Sequence, residues 1–260
     1  MLQLKGKTAL VTGGGSGIGQ AISRHLAMEG CNLILVGRRE SALDETARLC
    51  RPFGAEVVTL QADLSDYSEI DRLRASVSGD VDIFVLNAGI SQRAKALDTD
   101  FSVDERIMKL DFLSGVYLIK AFGDMISASE HVQIAVTSSI SGLFGFPLRS
   151  SYAAAKHAMF GFYESLELEN PNVGVTFLIP GRINTRISLS ALEADGSPHA
   201  EMDPGQEKGM DADKCGRIAV KAIKRQKHRK MIGGSELLMA YIHKYCLPLY
   251  YKLSKRISAV

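Results

Sequence analysis

The chain has 260 residues, of which 46% are hydrophobic and 23% are charged, and its formal net charge is +2. This composition is that of an ordinary soluble globular protein. We find no repeat, low-complexity tract or linker that would divide it. No secretory signal opens the chain, and no stretch reaches the ~18 apolar residues of a membrane span. We therefore expect one domain, residues 1–260, in the cytoplasm.

The cysteines and histidines do not form the pattern of a metal site. The four cysteines are scattered, and the six histidines show no H-E-x-x-H or similar cluster. We expect reduced, mostly buried thiols and no structural or catalytic metal. The cysteines are Cys31, Cys50, Cys215 and Cys246.

Short apolar runs alternate with helical patterns along the chain. Apolar runs without alternation indicate strands that are buried on both faces, and strands alternating with helices indicate right-handed crossovers. We predict an α/β fold, a doubly wound three-layer α-β-α sandwich with a parallel sheet. The predicted strands are 9–11, 33–36, 56–60, 83–86, 133–137 and 175–179. The predicted helices include 41–50, 70–77, about 103–126 and 152–169.

A glycine-rich segment joins the first predicted strand to the first predicted helix. Residues 12–19 read TGGGSGIG. Glycine lets the backbone turn tightly and approach a pyrophosphate, and a helix N-terminus offers free N–H groups to it. The segment therefore predicts the phosphate loop of a dinucleotide-binding Rossmann fold. The residues expected to contact the dinucleotide here are Gly13, Gly15, Ser16, Gly17, Ile18 and Gly19.

The spacing of this loop differs from the G-x-G-x-x-G pattern and resembles that of the short-chain dehydrogenase/reductase family. Further motifs continue the resemblance through most of the chain. They are Asp63-Leu64-Ser65, Asn87-Ala88-Gly89, Ser139, Tyr152-x-x-x-Lys156 and Pro180-Gly181-x-Ile183-x-Thr185. The resemblance implies an oxidoreductase that transfers a hydride between a nicotinamide cofactor and an alcohol or ketone.

The end of the second predicted strand favours NADP(H) over NAD(H). An NAD-specific site places an acidic residue there to bond the adenosine ribose, whereas residues 36–39 read VGRR. Arg38 can hold a 2′-phosphate through bidentate, charge-assisted bonds. Arg39 is either a second phosphate contact or a solvated helix start.

The resemblance implies the remaining cofactor contacts. Asp63 would bond the adenine amine, with the Leu64 backbone beside it. The segment Asn87-Ala88-Gly89 would pack against the adenosine ribose. In the segment that begins with Pro180-Gly181, the Ile183 backbone would bond the nicotinamide carboxamide, and Thr185 would bond the carboxamide or the diphosphate.

Tyr152 and Lys156 lie four residues apart in a predicted helix, so their side chains share one face. Hydride transfer to a ketone leaves an alkoxide that needs a proton, and alcohol oxidation needs the reverse. Tyrosine titrates near ~10, too high for an efficient base at neutral pH. A nearby ammonium group and the cationic nicotinamide favour the phenolate. We predict Tyr152 as the proton-transfer group, and the resemblance implies that Lys156 also bonds the nicotinamide ribose.

Ser139 closes the fifth predicted strand, at the family's spacing before Tyr152. Its hydroxyl would bond and polarise the substrate carbonyl oxygen. Ser138 and Ser141 are neighbouring alternatives.

Asp111 occupies the position where the family usually has Asn, in a pattern like V-N-x-x-G. In the family that residue supports a helix irregularity and a water that leads protons to the Lys. An ionised carboxylate accepts hydrogen bonds but cannot donate them. We expect Asp111 either to hold the water or to pair directly with Lys156.

The long segment of about 182–213 is expected to cover the substrate as a lid. Leu143, Phe144 and Phe146 would line the opposite wall. This mostly apolar lining predicts an alcohol or ketone on a hydrophobic or moderately polar body.

Two long predicted helices carry more apolar residues than one sheet face needs. Members of the family commonly associate through these helices, so we expect a homodimer or homotetramer; ordinary core packing is the alternative. The residues are Leu118, Ile119, Phe122, Met159, Phe160, Phe162 and Tyr163.

The end of the chain is strongly basic, with twelve of the 31 Lys and Arg residues from Lys214 onward beside one acidic residue, Glu236. A helical segment of about 234–256, with the basic run 221–230, could form a peripheral membrane-surface element. We favour a solvated basic face with a helix that closes the pocket or makes an oligomer contact. Nothing resembles a nucleic-acid-binding module.

The leading hypothesis is an NADP(H)-dependent carbonyl reductase or alcohol dehydrogenase. One alternative is a catalytically silent NADP(H)-binding regulator, which only Asp111 favours. Another is an epimerase or dehydratase on the same fold, which would retain its cofactor and consume no net NADPH.

Overall fold

The computed structural model describes residues 1–255, and a seven-stranded sheet lies at its centre. The strands are β1 Thr8–Thr12, β2 Asn32–Gly37, β3 Val57–Gln61, β4 Ile83–Leu86, β5 Val132–Thr137, β6 Val173–Pro180, β7 Ile183–Asn184, β8 Met210–Asp211 and β9 Arg229–Ile232. Seven of these strands form this sheet, and β7 and β8 form a separate small one. The helices are α1 Gly17–Met28, α2 Glu40–Cys50, α3 Tyr67–Ser76, α4 Phe101–Met108, α5 Ser114–Ala121, α6 Gly123–Ala128, α7 Ser150–Glu169, α8 Pro204–Glu207, α9 Ala212–Lys224, α10 Leu238–Tyr245 and α11 Leu247–Ser254.

The strands follow the order β3-β2-β1-β4-β5-β6-β9, and each neighbouring pair is parallel. Successive residues of a strand point to opposite faces. Leu10 of β1 belongs to a core shared with α3, α5 and α7, whereas Ala9 and Val11 belong to a core shared with α1, α2 and α9. The predicted three-layer doubly wound sandwich is therefore confirmed.

The helix predicted over about 103–126 is interrupted. A π turn, Lys109–Leu113, separates α4 from α5, and Phe122 separates α5 from α6. Such a turn adds one residue to the helical ladder and often lies at a functional site. This interruption is the irregularity that the family resemblance implied, and Asp111 lies within it.

The sequence pattern predicts no strand after residue 179, but β9 forms the sheet edge beside β6. Because β9 is an edge strand, Arg229 and Lys230 are exposed, and no continuous apolar run marks it. The basic run 221–230 therefore lies in α9 and β9 and the turn between them. The run and the C-terminal helices therefore lie in separate elements, and the membrane-surface alternative stays a prediction.

The predicted lid contains more regular structure than its sequence indicates. Within residues 182–213, β7 and β8 form a small parallel sheet and α8 lies between them. Leu192 forms isolated bridges with Gln92 and Pro198. The lid is thus fastened to the segment that follows β4.

The C-terminal helices α10 and α11 pack over the loop that follows β5. The Tyr250 hydroxyl donates to the Gly145 carbonyl, and the Tyr250 ring lies 5.4 Å from that of Phe144. Phe144 is consequently buried beneath this helix pair. The predicted end of the segment, Arg256, lies outside the described residues. Among residues 1–255, no helix combines the length and apolar character needed to cross a membrane.

The apolar residues that suggested an oligomer are used within one chain. All are buried in the core beneath the sheet except Phe162, which packs partly buried against it. Ordinary core packing therefore accounts for them. These residues therefore no longer argue for an oligomer, and the homodimer or homotetramer stays a prediction. The six core residues are Leu118, Ile119, Phe122, Met159, Phe160 and Tyr163.

Close contact between α1 and α9 generates a stability prediction. A Cβ on Gly216 would lie 2.6 Å from the Ala21 carbonyl carbon, so Gly216→Ala must push the helices apart. We expect a loss of about 1–3 kcal/mol in unfolding free energy, as for an overpacked core. Denaturant unfolding would measure it.

Gly161→Ala is the matched control, because Gly161 lies within α7 and nothing stands within 4 Å of the added methyl group. This change should stabilise the protein by about 0.5–1 kcal/mol. Equal effects of the two substitutions would contradict the packing argument.

Candidate active site

The candidate site lies where the sheet reverses its strand order. β1 has β2 on one side and β4 on the other, so the chain crosses from one half of the sheet to the other between them. Open parallel sheets bind ligands in the crevice at the carboxyl ends of strands at such a point. The β1–α1 turn, the segment after β4 and the loop after β5 all meet there.

The glycines of the β1–α1 turn are required by backbone shape and by close contact. Gly13 and Gly17 have φ angles of 63° and 54°, which favour glycine. A Cβ on Gly19 would overlap the Gly13 carbonyl oxygen, and one on Gly15 would lie 3.1 Å from the Ala42 Cβ. The turn therefore presents main chain without side chains at the start of α1, a shape that fits a pyrophosphate.

Asn87 and Thr12 join this turn to the end of β4. The Thr12 hydroxyl accepts from the Asn87 and Ala88 N–H groups, at 2.9 and 3.1 Å, and donates to the Val85 carbonyl. The Asn87 side-chain amide donates to the Thr12 carbonyl at 3.3 Å. The structure thus brings the predicted Asn87-Ala88-Gly89 segment against the glycine turn.

Arg38 and Arg39 are both exposed after β2. The Arg38 carbonyl accepts from the Gln61 side chain at 2.8 Å, and Arg39 precedes the first residue of α2. Asp63 follows β3, and its carboxylate accepts the Ser65 N–H at 2.9 Å. Both guanidinium groups are free of ion pairs with the described part of the chain, so either can meet an anion.

A pocket of about 500 Å³ lies beside Arg38 at the β3 edge. Arg72, which the sequence patterns did not single out, also lines this pocket. Its guanidinium group pairs with Glu69 at 3.4 Å. Glu69 also accepts the Asp63 N–H at 2.5 Å. The lining residues are Arg38, Leu60, Gln61, Asp63, Glu69, Arg72, Leu73 and Ser76.

The turn after β6 approaches the glycine turn. A Cβ on Gly17 would lie 3.2 Å from the Thr185 methyl group, and Ile183 is buried in β7. Glu236, the lone acidic residue of the basic tail, accepts the Arg182 N–H at 2.9 Å and packs against Gly181. Glu236 therefore anchors the Pro180–Gly181 turn, a role that only the tertiary structure reveals.

Tyr152 and Lys156 lie together on α7, and both are buried. The Lys156 ammonium nitrogen lies 5.6 Å from the centre of the Tyr152 ring. It donates to the Thr137 carbonyl at 3.2 Å and lies 3.2 Å from an Asp111 carboxylate oxygen. The predicted pair is thus assembled at the carboxyl end of β5, with Asp111 as its direct ionic partner.

Asp111 bridges the π turn and the segment after β4. Its other carboxylate oxygen accepts the Ile90 N–H at 2.8 Å, and a Cβ on Gly89 would lie 2.7 Å from the carboxylate. Burial raises the pKa of Asp111 above the usual carboxyl value, while the Lys156 ammonium and the Ile90 N–H oppose the rise. A cavity of about 10 Å³, lined in part by Asp111, Thr12 and Ser114, adjoins it.

Ser139 is nine-tenths buried just after β5, and its hydroxyl accepts the Ser141 N–H at 3.2 Å. The neighbouring Ser138 hydroxyl donates to the Lys156 carbonyl at 3.0 Å. Ser138 is therefore occupied in fastening the loop to α7. Ser139 and Ser141 both keep a hydroxyl proton without a partner among the described residues, so these contacts set Ser138 aside and the spacing favours Ser139.

Comparisons with known proteins identify the family of this chain. The family model described as short chain dehydrogenase matches residues 7–195. Among curated relatives, "Dehydrogenase/reductase SDR family protein 7-like" of Anopheles gambiae is 36% identical over 95% of this chain and 81% of its own. "Dehydrogenase/reductase SDR family member 7B" of Mus musculus is 32% identical over 96% and 80%.

Solved structures share the fold. A short-chain dehydrogenase/reductase from Burkholderia phymatum in complex with NAD has a TM-score of 0.83 at 22% identity, over 96% of both chains. An alcohol dehydrogenase from Thermococcus sibiricus complexed with 5-hydroxy-NADP has a TM-score of 0.77 at 26% identity, over 89% of this chain and 97% of that one. The family match spans more than half of the residues, so this chain belongs to the short-chain dehydrogenase family of oxidoreductases.

Proposed function

We propose that the protein is an NADP(H)-dependent oxidoreductase that interconverts an alcohol and a ketone through Ser139, Tyr152 and Lys156. The observation that carries the proposal is the buried Lys156 ammonium, held beside the Tyr152 ring by Asp111 and the Thr137 carbonyl. A charge is kept out of water at considerable cost, so a functional use explains it better than packing.

The cofactor is proposed to lie across the β1–β4 crevice. Its pyrophosphate would meet the N–H groups of the glycine turn and α1, with Thr185 beside them. Asp63, Leu64 and Asn87 would hold the adenosine end. The Pro180–Gly181 turn and Ile183 would hold the nicotinamide end. When bound, this cofactor supplies or accepts the hydride.

We propose NADP(H) rather than NAD(H) because a positive charge lies where the 2′-phosphate is expected. The two solved structures carry different cofactors, NAD and an NADP analogue, so this chain's own residues must decide. Arg38 is exposed where an NAD-specific site would place an acid, whereas Arg72 in the adjoining pocket is paired with Glu69. The Arg38 guanidinium group, free of ion pairs among the described residues, favours a 2′-phosphate.

The proton chemistry is assigned to Tyr152. In reduction its phenol would donate a proton to the developing alkoxide, and in oxidation the phenolate would accept one. The Lys156 ammonium favours the phenolate, and the free Ser139 hydroxyl would donate to the substrate oxygen. Asp111 holds Lys156 in place and is a positioning residue rather than a reacting one.

The lid 182–213 and the α10–α11 pair are proposed to enclose the substrate from two sides. The helix pair covers Phe144, and Leu143 and Phe146 lie beside it, partly exposed. This favours the pocket-closing role for the C-terminal helices over a role at a membrane surface. A homodimer or homotetramer remains part of the proposal on family grounds.

Replacement of Tyr152 tests the mechanism. Tyr152→Phe should lower kcat by at least about 100-fold, because general acid–base catalysis contributes that much, while the Kd for NADPH stays within about threefold. NADPH consumption over a panel of ketones, aldehydes, quinones and steroids would measure turnover, and fluorescence titration would measure binding.

Tyr117→Phe is the matched control, since that hydroxyl bonds Asp71 on the surface and should not affect turnover. Unchanged activity in Tyr152→Phe would refute the mechanism. A wild-type protein that binds NADPH but reduces no compound would favour the silent regulator.

Replacement of Arg38 tests the cofactor preference. Arg38→Ala should weaken NADPH binding by about 10–100-fold through lost charge-assisted bonds and leave NADH binding nearly unchanged. Titration with both cofactors gives the ratio. The exposed Arg51→Ala serves as control. Equal weakening for both cofactors would show that Arg38 does not read the 2′-phosphate.

Replacement of Asp111 tests the positioning role. Asp111→Asn removes a negative charge beside Lys156, so the ammonium acts on Tyr152 without its counter-charge and favours the phenolate more strongly. We expect the pH at which alcohol oxidation reaches half its maximal rate to fall by up to about one unit. The exposed Asp124→Asn should leave the profile in place. A profile that shifts upward, or does not move, would contradict this role.

A further inference from the structure

A second group of buried charges lies next to the proposed catalytic residues. Arg149 immediately precedes α7, three residues before Tyr152. The strap 91–94 crosses here, with the Ala94 N–H bonded to the Leu148 carbonyl and the Ser151 N–H bonded to the Gln92 side chain. The lid reaches the same place, because the Arg93 N–H donates to the Leu192 carbonyl at 2.8 Å. The group therefore lies between the lid and the start of α7.

One carboxylate in this group is already satisfied by Arg93. The Arg93 guanidinium donates to both oxygens of Asp203, and also to the Ser91 hydroxyl and the Gln92 carbonyl. Both Arg93 and Asp203 are almost fully buried. This bidentate pair balances one positive charge with one negative charge.

Arg149 is left without a full partner. Its side chain is 20% exposed. Its single ionic contact within residues 1–255 is with the Asp203 carboxylate, at 3.3 Å, and that carboxylate is already paired with Arg93. Its buried Nε has no hydrogen-bond partner among the described residues. The Glu193 carboxylate is paired with the His199 ring at 2.5 Å, so it is not a free anion. One guanidinium charge is thus uncompensated in a largely dry place.

The Arg149 charge lies about one helical turn before Tyr152. Burial, together with the Arg93 and Arg182 charges, lowers the pKa of Arg149 to about 10, while Tyr152 and Asp203 oppose the fall. Arg149 therefore remains cationic at neutral pH. A poorly compensated buried cation is costly unless an anion from outside completes it.

We propose that Arg149 forms an anion-binding subsite beside Tyr152 and that the substrate is a ketone or alcohol carrying a carboxylate or phosphate group close to its reacting carbon. This inference rests on the proposed function. The subsite would add a cation to the mostly apolar lining that the sequence predicts, and Leu143 and Phe146 would contact the remainder of the molecule. The Phe146 ring lies 5.8 Å from the Arg149 guanidinium.

The first test uses binding and needs no turnover. With the enzyme saturated by NADP⁺, which cannot reduce a ketone, levulinate or inorganic phosphate is added and the midpoint temperature of thermal unfolding is followed. The wild type should be stabilised by at least one of the two anions. Arg149→Met should lose that stabilisation, Arg149→Lys should recover part of it, and the exposed Arg51→Met should behave as wild type. Stabilisation by levulinate alone indicates a carboxylate, and stabilisation by phosphate alone indicates a phosphate group.

The second test uses matched substrate pairs, levulinate against ethyl levulinate and hydroxyacetone phosphate against hydroxyacetone. For at least one pair the wild type should favour the anion by about tenfold or more in kcat/KM, as a charge-assisted bond gives. Arg149→Met should bring that ratio close to one, mainly through KM. A ratio unchanged in Arg149→Met would overturn the inference.

Stability separates a binding role from a structural one. Without added anion, Arg149→Met should unfold at the same or a higher temperature, because it removes an under-compensated buried charge. A lower midpoint together with unchanged anion binding would show that Arg149 only holds the lid. Turnover that persists in Tyr152→Phe would defeat the proposed function itself, whereas loss of turnover there with no Arg149 effect defeats only this subsite.

Discussion

The buried ammonium of Lys156 is the constraint around which the site is arranged. A buried charge that loses its partner costs on the order of 3–5 kcal/mol, so its neighbours must be held in place. Asp111 faces it from the π turn, the Thr137 carbonyl faces it from the end of β5, and α7 carries it. Through the Ile90 N–H, Asp111 also fixes the segment after β4. One charge therefore joins the ends of β4 and β5 with the helices on that side of the sheet.

The π turn is best understood as the consequence of this requirement. A regular helix over 103–126 follows the apolar pattern, but the carboxylate must reach both Lys156 and the backbone beside Gly89. Glycine at 89 is needed because the carboxylate packs directly against its Cα. The extra residue of the π turn and the glycine at 89 therefore serve one purpose. Together they let the Asp111 carboxylate reach Lys156 and the backbone beside Gly89.

The other half of the crevice depends on close main-chain contact rather than charge. The β1–α1 turn, Thr12 and Asn87 pack so tightly that side chains at Gly13 or Gly19 would strike their neighbours. This tightness leaves N–H groups free at the start of α1. The two halves meet where the strand order reverses, so the sheet topology brings the phosphate loop and the Tyr152–Lys156 pair to the same edge.

The sequence by itself determined the strand–helix alternation, the glycine turn and the Tyr152–Lys156 pair, because these depend on apolar runs, backbone freedom and spacing along one helix. It left open whether Asp111 holds a water or meets Lys156, and it did not reveal β9, Glu236 as an anchor or the pairing of Arg93 with Asp203. Those features join residues far apart in the chain, and an edge strand needs no apolar run. Only the tertiary structure decided them, because the partner of a buried charge is set by which distant segments the fold packs together.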